Sequence, residues 1–418
     1  MILKNKSKKK IPLKILVSSY ACEPQKGSEN AVGWEWSLDI ANKGHNVVVM
    51  TRANNKKSIE NFFLNSKNTL KGVIRFEYYD LPSWVLYLKK ILSPFLNYTR
   101  IYYFIWQFFV FKKIKKLTQK ENFDLVHHLT FVSLRHFSHI GNLGIPFILG
   151  PLAGGDSSPY WIRKSLGWNF FITECFRDFM NQTLRYDPFF IKSLKKSDLI
   201  ICGTPATQNI LPNKFKSKSK VINQISMEYP MKKNFIEKRN EKKILYVGRF
   251  LSYKGMDIGL EAFAMALQKD NELSLTIVGR GPLEKKWKLK AKKLGISNKI
   301  KWINWLKQSE LDKVYLEHSI FLFPSLHDSG GKVIFEAISK GLRVIGLKIG
   351  GPEILLNNKV GKLIDIKETE RIKLLREISK SINDYANQSY DNESSYKRAI
   401  EHYEKWSISK IIDNIGIY

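Results

Sequence analysis

Arg249 and Lys254 lie in "LYVGRFLSYKG", residues 245–255, two cations in a loop with no acidic residue between them. The apolar run that closes on Gly248 predicts a buried strand, and cations gathered at a strand end suit an anion such as a phosphate. A second stretch, "FLFPSLHDSGGKVIFEAISKGLRVIGL" at 321–347, reads as strand, small-residue turn, helix and next strand. Gly330 and Gly331 would leave backbone amides uncovered at that helix start, where free donors and the helix dipole together favour a phosphate. Glu336 stands about a turn further in, where its carboxylate could accept hydrogen bonds from a sugar or ribose diol. A plainer reading stays open beside this one: a solvated loop at 249–254, a helix merely capped by Asp328 or Ser329, and Glu336 paired with a lysine.

Two candidates come from the first half. Gly27 in "CEPQKGSENAVGWEW" could bring backbone donors to an anion, or be a simple strand-to-helix turn. His127 follows the strand "FDLV" and should emerge at a cleft edge, with His128 pointing the other way; the alternative is a hydrogen-bonded core histidine. The glycine-rich "GPLAGGDSSPYW", 150–161, is a further strand-end loop, in which Asp156 could meet an acceptor hydroxyl or serve as a plain turn residue.

These residues need elements to hold them. Apolar, β-branched runs alternate with helix-like segments: "KILVSSY", "HNVVVMTR", "FDLVHHL", "IPFILG" and "SDLIICG", then, after the lysine-rich stretch 231–243, "KILYVG", "LSLTIVG", "KIKWINW", "SIFLFPS" and "LRVIGL". That rhythm predicts helices packed on parallel sheets, an α/β chain of two Rossmann-like halves facing each other across a cleft. Ligands of such sheets bind beyond the carboxyl ends of the strands. We expect a first domain over 1–228, a second over 229–395, and a closing helix over 396–418, with Ser407 as its cap and Ile408, Ile411, Ile412 and Ile415 as its apolar face, crossing back to the first domain.

Composition bounds the partners. The 418 residues, 44% hydrophobic, suffice for two cores. Three cysteines fit neither a disulfide framework nor a zinc-ligand spacing and point to a reducing cytoplasm. The net charge of +31, from 69 Lys and Arg against 38 Asp and Glu, suits a polyanion, but no zinc-finger or RNA-recognition signature accompanies it. An anionic membrane or a phosphate-bearing substrate therefore outranks nucleic acid.

Taken together, "GRFLSYKG", "VGRGP" at 278–282, the acidic pair Asp328 and Glu336, "EAISKG" and "GGPE" at 350–353 resemble the nucleotide-sugar-binding half of glycosyltransferase family 4, a retaining group with the GT-B fold. "CEPQKGSENAVGWEW" and "NKGHNVVVMTR" resemble that family's glycine loop and the helix, turn and strand after it. The resemblance implies a nucleoside diphosphate sugar as donor and a glycan or lipid-linked acceptor, as in surface polysaccharide synthesis. It also implies that Gly27, Gly248, Arg249, Lys254, Gly279 and Gly281 bind the donor, together with Asp328, Gly330, Gly331, Lys332, Val333 and Glu336. The reaction itself would engage Arg249, Lys254, Asp328 and His127, with the nucleobase read by loops 279–282 and 303–306. Cations would replace a metal, so neither a metal nor another cofactor is expected. The sequence departs from the family where Asp328 replaces a glutamate, where "SGG" replaces Gly-Phe-Gly, and where "DLVHHL" has leucine in place of a second spaced histidine. A polyanion-binding shell without catalysis and a nucleotide-sugar epimerase are the competing readings.

Residues 81–117 contain "IYYFIWQFFVF", 11 apolar and aromatic residues flanked by Arg100 and Lys112, Lys113, Lys115 and Lys116. As a helix it would reach about 17 Å, too short to cross a bilayer. It predicts either peripheral contact with an anionic membrane, on the inner face of the cell membrane, or a helix buried in the first domain.

Overall fold

A computed structural model of the chain describes residues 12–24, 26–27, 29–65, 70, 72–92, 98–131, 133–224, 240–367, 370–406, 408 and 412. Strands β1 (Lys14–Ser19), β2 (Asn46–Thr51), β3 (Ile74–Tyr78), β4 (Leu125–Thr130), β5 (Phe147–Leu152), β6 (Leu199–Cys202) and β7 (Ser219–Val221) form one sheet. Strands β8 (Lys243–Val247), β9 (Ser274–Val278), β10 (Ile300–Ile303), β11 (Ile320–Phe323), β12 (Arg343–Leu347) and β13 (Gly361–Ile364) form the other. All recorded pairings are parallel. Central strands such as β4, β5, β6 and β12 are buried along their whole length, because helices cover both faces, so their sequences are mostly apolar and their few polar side chains are enclosed.

The strand orders are β3-β2-β1-β4-β5-β6-β7 and β10-β9-β8-β11-β12-β13. In each sheet the chain reverses its direction of travel once, between β1 and β4 and between β8 and β11. At such a reversal the connecting loops diverge and open a crevice beyond the strand ends. The loops after β8 and β11 carry Arg249, Lys254 and Asp328.

The helices close the cores. Trp34 of helix Glu29–Asn42 packs edge-on against Phe62 and stacks on Phe76. In the second domain the buried Trp287 packs on Phe250 and donates its ring N–H to Asp257 (3.1 Å). Helix Tyr98–Lys120 contains the aromatic run and is neither wholly superficial nor buried on every side. Tyr102, Tyr103, Trp106, Val110 and Ile114 enter the first core, while Ile101, Phe104, Phe108 and Phe109 face outward. No helix among the described residues is long and apolar enough to cross a membrane.

The chain termini of the two domains differ from expectation in one respect. Helix Asn392–Trp406 runs through the expected boundary at 395/396 and stays on the second domain, where Ser395 donates to the carbonyl of Leu342 and Arg398 to that of Leu355. Only beyond it do Ile408 and Ile412 lie buried in the core cluster of β1, β2 and helix Glu29–Asn42. Ser407, Ile411, Ile415 and the expected boundary at 228/229 lie outside the described residues.

Candidate active site between the two sheets

The loops after β8 and β9 are stitched together first. Gly248 N–H donates to the Val278 carbonyl and Phe250 N–H to that of Arg280, both at 3.0 Å. A Cβ on Gly279, where φ is +144°, would come within 2.0 Å of the Gly248 carbonyl oxygen, so only glycine permits this approach. The β8 loop then turns back against the β11 loop, with Leu326 N–H donating to the Tyr253 carbonyl (2.7 Å).

That second contact places Lys254 Nζ 2.5 Å from Asp328 Oδ2. Asp328 Oδ1 accepts the Gly331 N–H (2.8 Å), and its backbone carbonyl accepts the Gly351 N–H (2.7 Å). The structure thus brings Lys254, Asp328 and the helix start at Gly331 together at the reversal point. The Gly331 amide is therefore capped, not uncovered as expected from sequence, because Asp328 reaches back over the turn. Among the described residues Gly330 carries no such bond, and the nearest atom to a Cβ there would be in the Gln224 side chain at 3.6 Å. Arg249 does not join this group: its side chain is exposed, and among the described residues no carboxylate lies within ion-pair reach.

Glu336 accepts the Tyr315 hydroxyl at 3.1 Å and makes no ion pair with a lysine among the described residues. Burial pushes its carboxyl above the ordinary range, against the pull of Lys332 and the Tyr315 hydrogen bond. The Val333 carbonyl accepts weakly from the same hydroxyl (3.4 Å), and Lys332 reaches across to Glu35 of the first domain (3.9 Å). Gly281 sits against the Phe250 backbone, where a Cβ would meet oxygen at 2.6 Å.

The first domain supplies the opposite wall. Gln224 Nε2 donates to Ser329 Oγ (2.6 Å). Arg177 donates to the ring Nδ1 of His327 (3.2 Å), so Nε2 carries the proton and points at the Glu174 carboxylate. Arg177 also donates to the Asp156 carbonyl (2.5 Å). Asp156 itself is 4% exposed, and its Oδ1 has no partner among the described residues. A Cβ on Gly350 of the second domain would lie 3.6 Å from its carboxyl carbon. Burial raises the Asp156 carboxyl, and nearby Asp328 adds to this, while Thr204, His327 and Arg177 oppose it. Sequence reasoning missed Glu174, Arg177, Gln224 and His327, although His327 stands beside Asp328 in the quoted turn.

His127 requires a correction. β4 continues to Thr130, so the ring does not emerge at a cleft edge; it is fully buried and bonds the Gly150 carbonyl through Nε2 (2.7 Å). His128 faces the other way, between the Tyr103 hydroxyl and Ser138 Oγ, both at 2.9 Å. Gly27 borders a separate cavity of about 480 Å³ at the ends of β1 and β2, lined also by Tyr20, Lys26, Arg52 and Phe131. Nothing lies within 4 Å of a Cβ built on Gly27, so no close approach demands glycine there.

The buried histidines make stability pH-dependent. Burial lowers His127 to about 4, His318 to about 4 and His128 to about 3, and it also lowers His139 and His402. The unfolded chain therefore takes up protons first, so this stability is present above about pH 6.5 and is lost as pH falls, at up to ~1.4 kcal/mol per histidine per pH unit. Asp156 and Glu336, with raised pKa values, act in the opposite sense but are fewer. The urea midpoint is expected to drop steadily from pH 6.5 to 4.5, whereas a constant midpoint would contradict the neutral burial of these rings.

Residues 230–401 match the family model described as "Glycosyl transferases group 1". The second domain is therefore similar to group 1 glycosyltransferase domains. An uncharacterized glycosyltransferase of Haemophilus influenzae is 30% identical over 148 residues, 35% of this chain and 41% of that protein. The D-inositol 3-phosphate glycosyltransferase of Corynebacterium glutamicum is 28% identical over 131 residues, 30% of this chain and 31% of its own length. The chain thus spans less than half the length of these relatives. In fold the likeness covers both domains. The lipopolysaccharide outer core galactosyltransferase WaaB matches with a TM-score of 0.59 at 13% identity, covering 96% of this chain and 99% of its own. Anabaena HepE in complex with UDP matches at 0.55 and 15% identity, covering 96% and 98%. The fold is therefore GT-B, two parallel-sheet domains with the candidate site where their strand-end loops meet.

Proposed function

We propose that the chain is a retaining glycosyltransferase that moves a sugar from a nucleoside diphosphate sugar to a glycan or lipid-linked acceptor, in the manner of surface polysaccharide synthesis. The observation that carries this reading is the Lys254–Asp328–Gly331 group at the reversal point of the second domain. Breaking the bond between the sugar C1 and the diphosphate oxygen builds negative charge on the leaving group, and fixed donors lower that barrier most when they are already in place. Lys254 is held there by Asp328, with Arg249 exposed on the same loop and the Gly330 amide at the helix start beside it. A bound diphosphate would compete with Asp328 for the lysine. Same-face attack, with the leaving oxygen accepting the acceptor proton, needs no protein nucleophile. The buried His127 is better suited to hold Gly150 than to touch a sugar. Asp156, enclosed, with one unpartnered oxygen and its carboxyl carbon 3.6 Å from a Cβ built on Gly350, is the first-domain group we assign to an acceptor hydroxyl.

The enzyme is proposed to work without a metal, at the inner face of the cell membrane, with residues 81–117 among the groups that meet lipid. Two measurements test the reading. A panel of nucleotide sugars should include one that raises the unfolding temperature, since a ligand at 100 times its Kd adds about 2.7 kcal/mol to stability. Transfer from that donor should then persist in excess chelator. Activity that disappears with chelator and returns only with Mn²⁺ would overturn the metal-free step, and a panel without any stabilising donor would overturn the reading as a whole.

A further inference from the structure

Helix Trp168–Thr183 carries two opposed faces. Its inner face holds the cleft: Glu174 and Arg177 engage His327, Asp178 pairs with the buried Arg163 (2.5 Å), and Asn181 donates to the Gly154 carbonyl (2.8 Å). Its outer face presents Trp168 (66% exposed), Ile172 (50%), Phe176 (61%) and Phe179 (59%). The spacing of four, four and three residues puts these side chains in one stripe, the pattern that normally seats a helix on a core. Here the stripe faces solvent, and an ordered row of large apolar groups that covers no core marks a surface built to meet something apolar.

Charge says what that is. Both acidic residues of the helix, Glu174 and Asp178, are turned inward and engaged, so the outer face carries no negative group. The exposed Lys164 precedes the stripe and the exposed Arg185 follows it. A second copy of a chain with net charge +31 would bring like-charged flanks together, whereas an anionic lipid surface takes both the stripe and its flanks. Trp168, stacked on Phe171 (5.4 Å), and the exposed Tyr160 stand at the leading end, and such amphipathic rings favour the headgroup level.

We propose that helix Trp168–Thr183 docks in the plane of an anionic lipid surface, with its apolar stripe among the upper acyl chains and Lys164 and Arg185 at the phosphates. Because the opposite face of the same helix touches His327, next to Asp328, docking sets the candidate active site about one helix diameter, ~10 Å, from the headgroups. The proposal deepens the glycosyltransfer reading, since it favours a lipid-linked acceptor, and this surface is separate from residues 81–117.

Vesicle flotation tests it on the full chain. The protein should float with mixed phosphatidylglycerol and phosphatidylcholine vesicles, and only weakly with phosphatidylcholine alone. The double variant Phe176→Ser, Phe179→Ser should lose on the order of tenfold in partitioning onto the anionic vesicles. Its thermal unfolding should match the parent, as both side chains are exposed, and its transfer to a water-soluble acceptor should be unchanged. A double variant that floats like the parent, a parent that never floats, or equal binding to neutral vesicles would overturn the docking. So would a parent dimer that the double variant converts to monomers, which would make a second copy the occupant. Lost docking with intact transfer leaves the glycosyltransfer reading standing, so the two fail separately.

Discussion

Turnover is expected to fall by about 10²–10³-fold when Lys254 is replaced by alanine. The structure fixes the ammonium at the reversal point of the second sheet, 2.5 Å from Asp328, whose other oxygen caps Gly331. In the proposed reaction, removing it takes a charged donor from the departing diphosphate and also leaves the Asp328 carboxylate, 20% exposed, without its ion-pair partner. That carboxylate would then repel the leaving group, which puts the loss at the upper end of the range. Lys254→Arg should recover part of the rate, because charge returns but the planar guanidinium cannot reproduce a point contact in the same space. Initial rates at saturating donor decide the matter: a decline of less than tenfold would reduce Lys254 to a structural ion pair.

Gly255→Ala should cost about 3 kcal/mol or more in folding stability. Gly255 has φ +69°, and a Cβ built there would stand 1.9 Å from the Pro324 carbonyl oxygen. The obstacle is backbone, so no side-chain rotation relieves it, and the loops after β8 and β11 would have to separate. Gly295→Ala provides the comparison, because φ is +70° but nothing lies within 4 Å of its Cβ. That variant should lose only about 1 kcal/mol, the left-handed penalty alone. Equal urea midpoints for the two variants would show that the loops do not depend on this close approach.

The sequence made the central strands legible and the edges not. β5, β8 and β11 are largely apolar runs because both faces are covered, whereas β4 (LVHHLT) buries two histidines among its apolar residues. β3 (IRFEY), β7 (SKV) and β13 (GKLI) lie at or near sheet edges, are partly exposed, and mix charges into short runs that no apolar pattern marks. Lys254, Asp328, Gly331 and Glu336 could each be singled out from their turns, but not their partners. Asp328 turned out to serve both the lysine and the helix cap. His127 misled because the period of a strand tells which face a residue takes, not how far the strand continues. The contact of His327 with Glu174 and Arg177 joins residues some 150 positions apart, beyond any local signal. The stripe on helix Trp168–Thr183 was written plainly in the spacing, yet spacing alone assigns such a face to a core.

The burial of Ile408 and Ile412 against β1, β2 and helix Glu29–Asn42 bears on synthesis as well as on architecture. The amino-terminal sheet leaves the ribosome with part of its oily surface bare, and the plug arrives only after the entire second domain has been translated. During that interval the nascent chain offers a sticky groove to chaperones or to other unfinished copies. Stop codons or frameshifts before position 408 would therefore injure the half of the protein most distant from them in the gene.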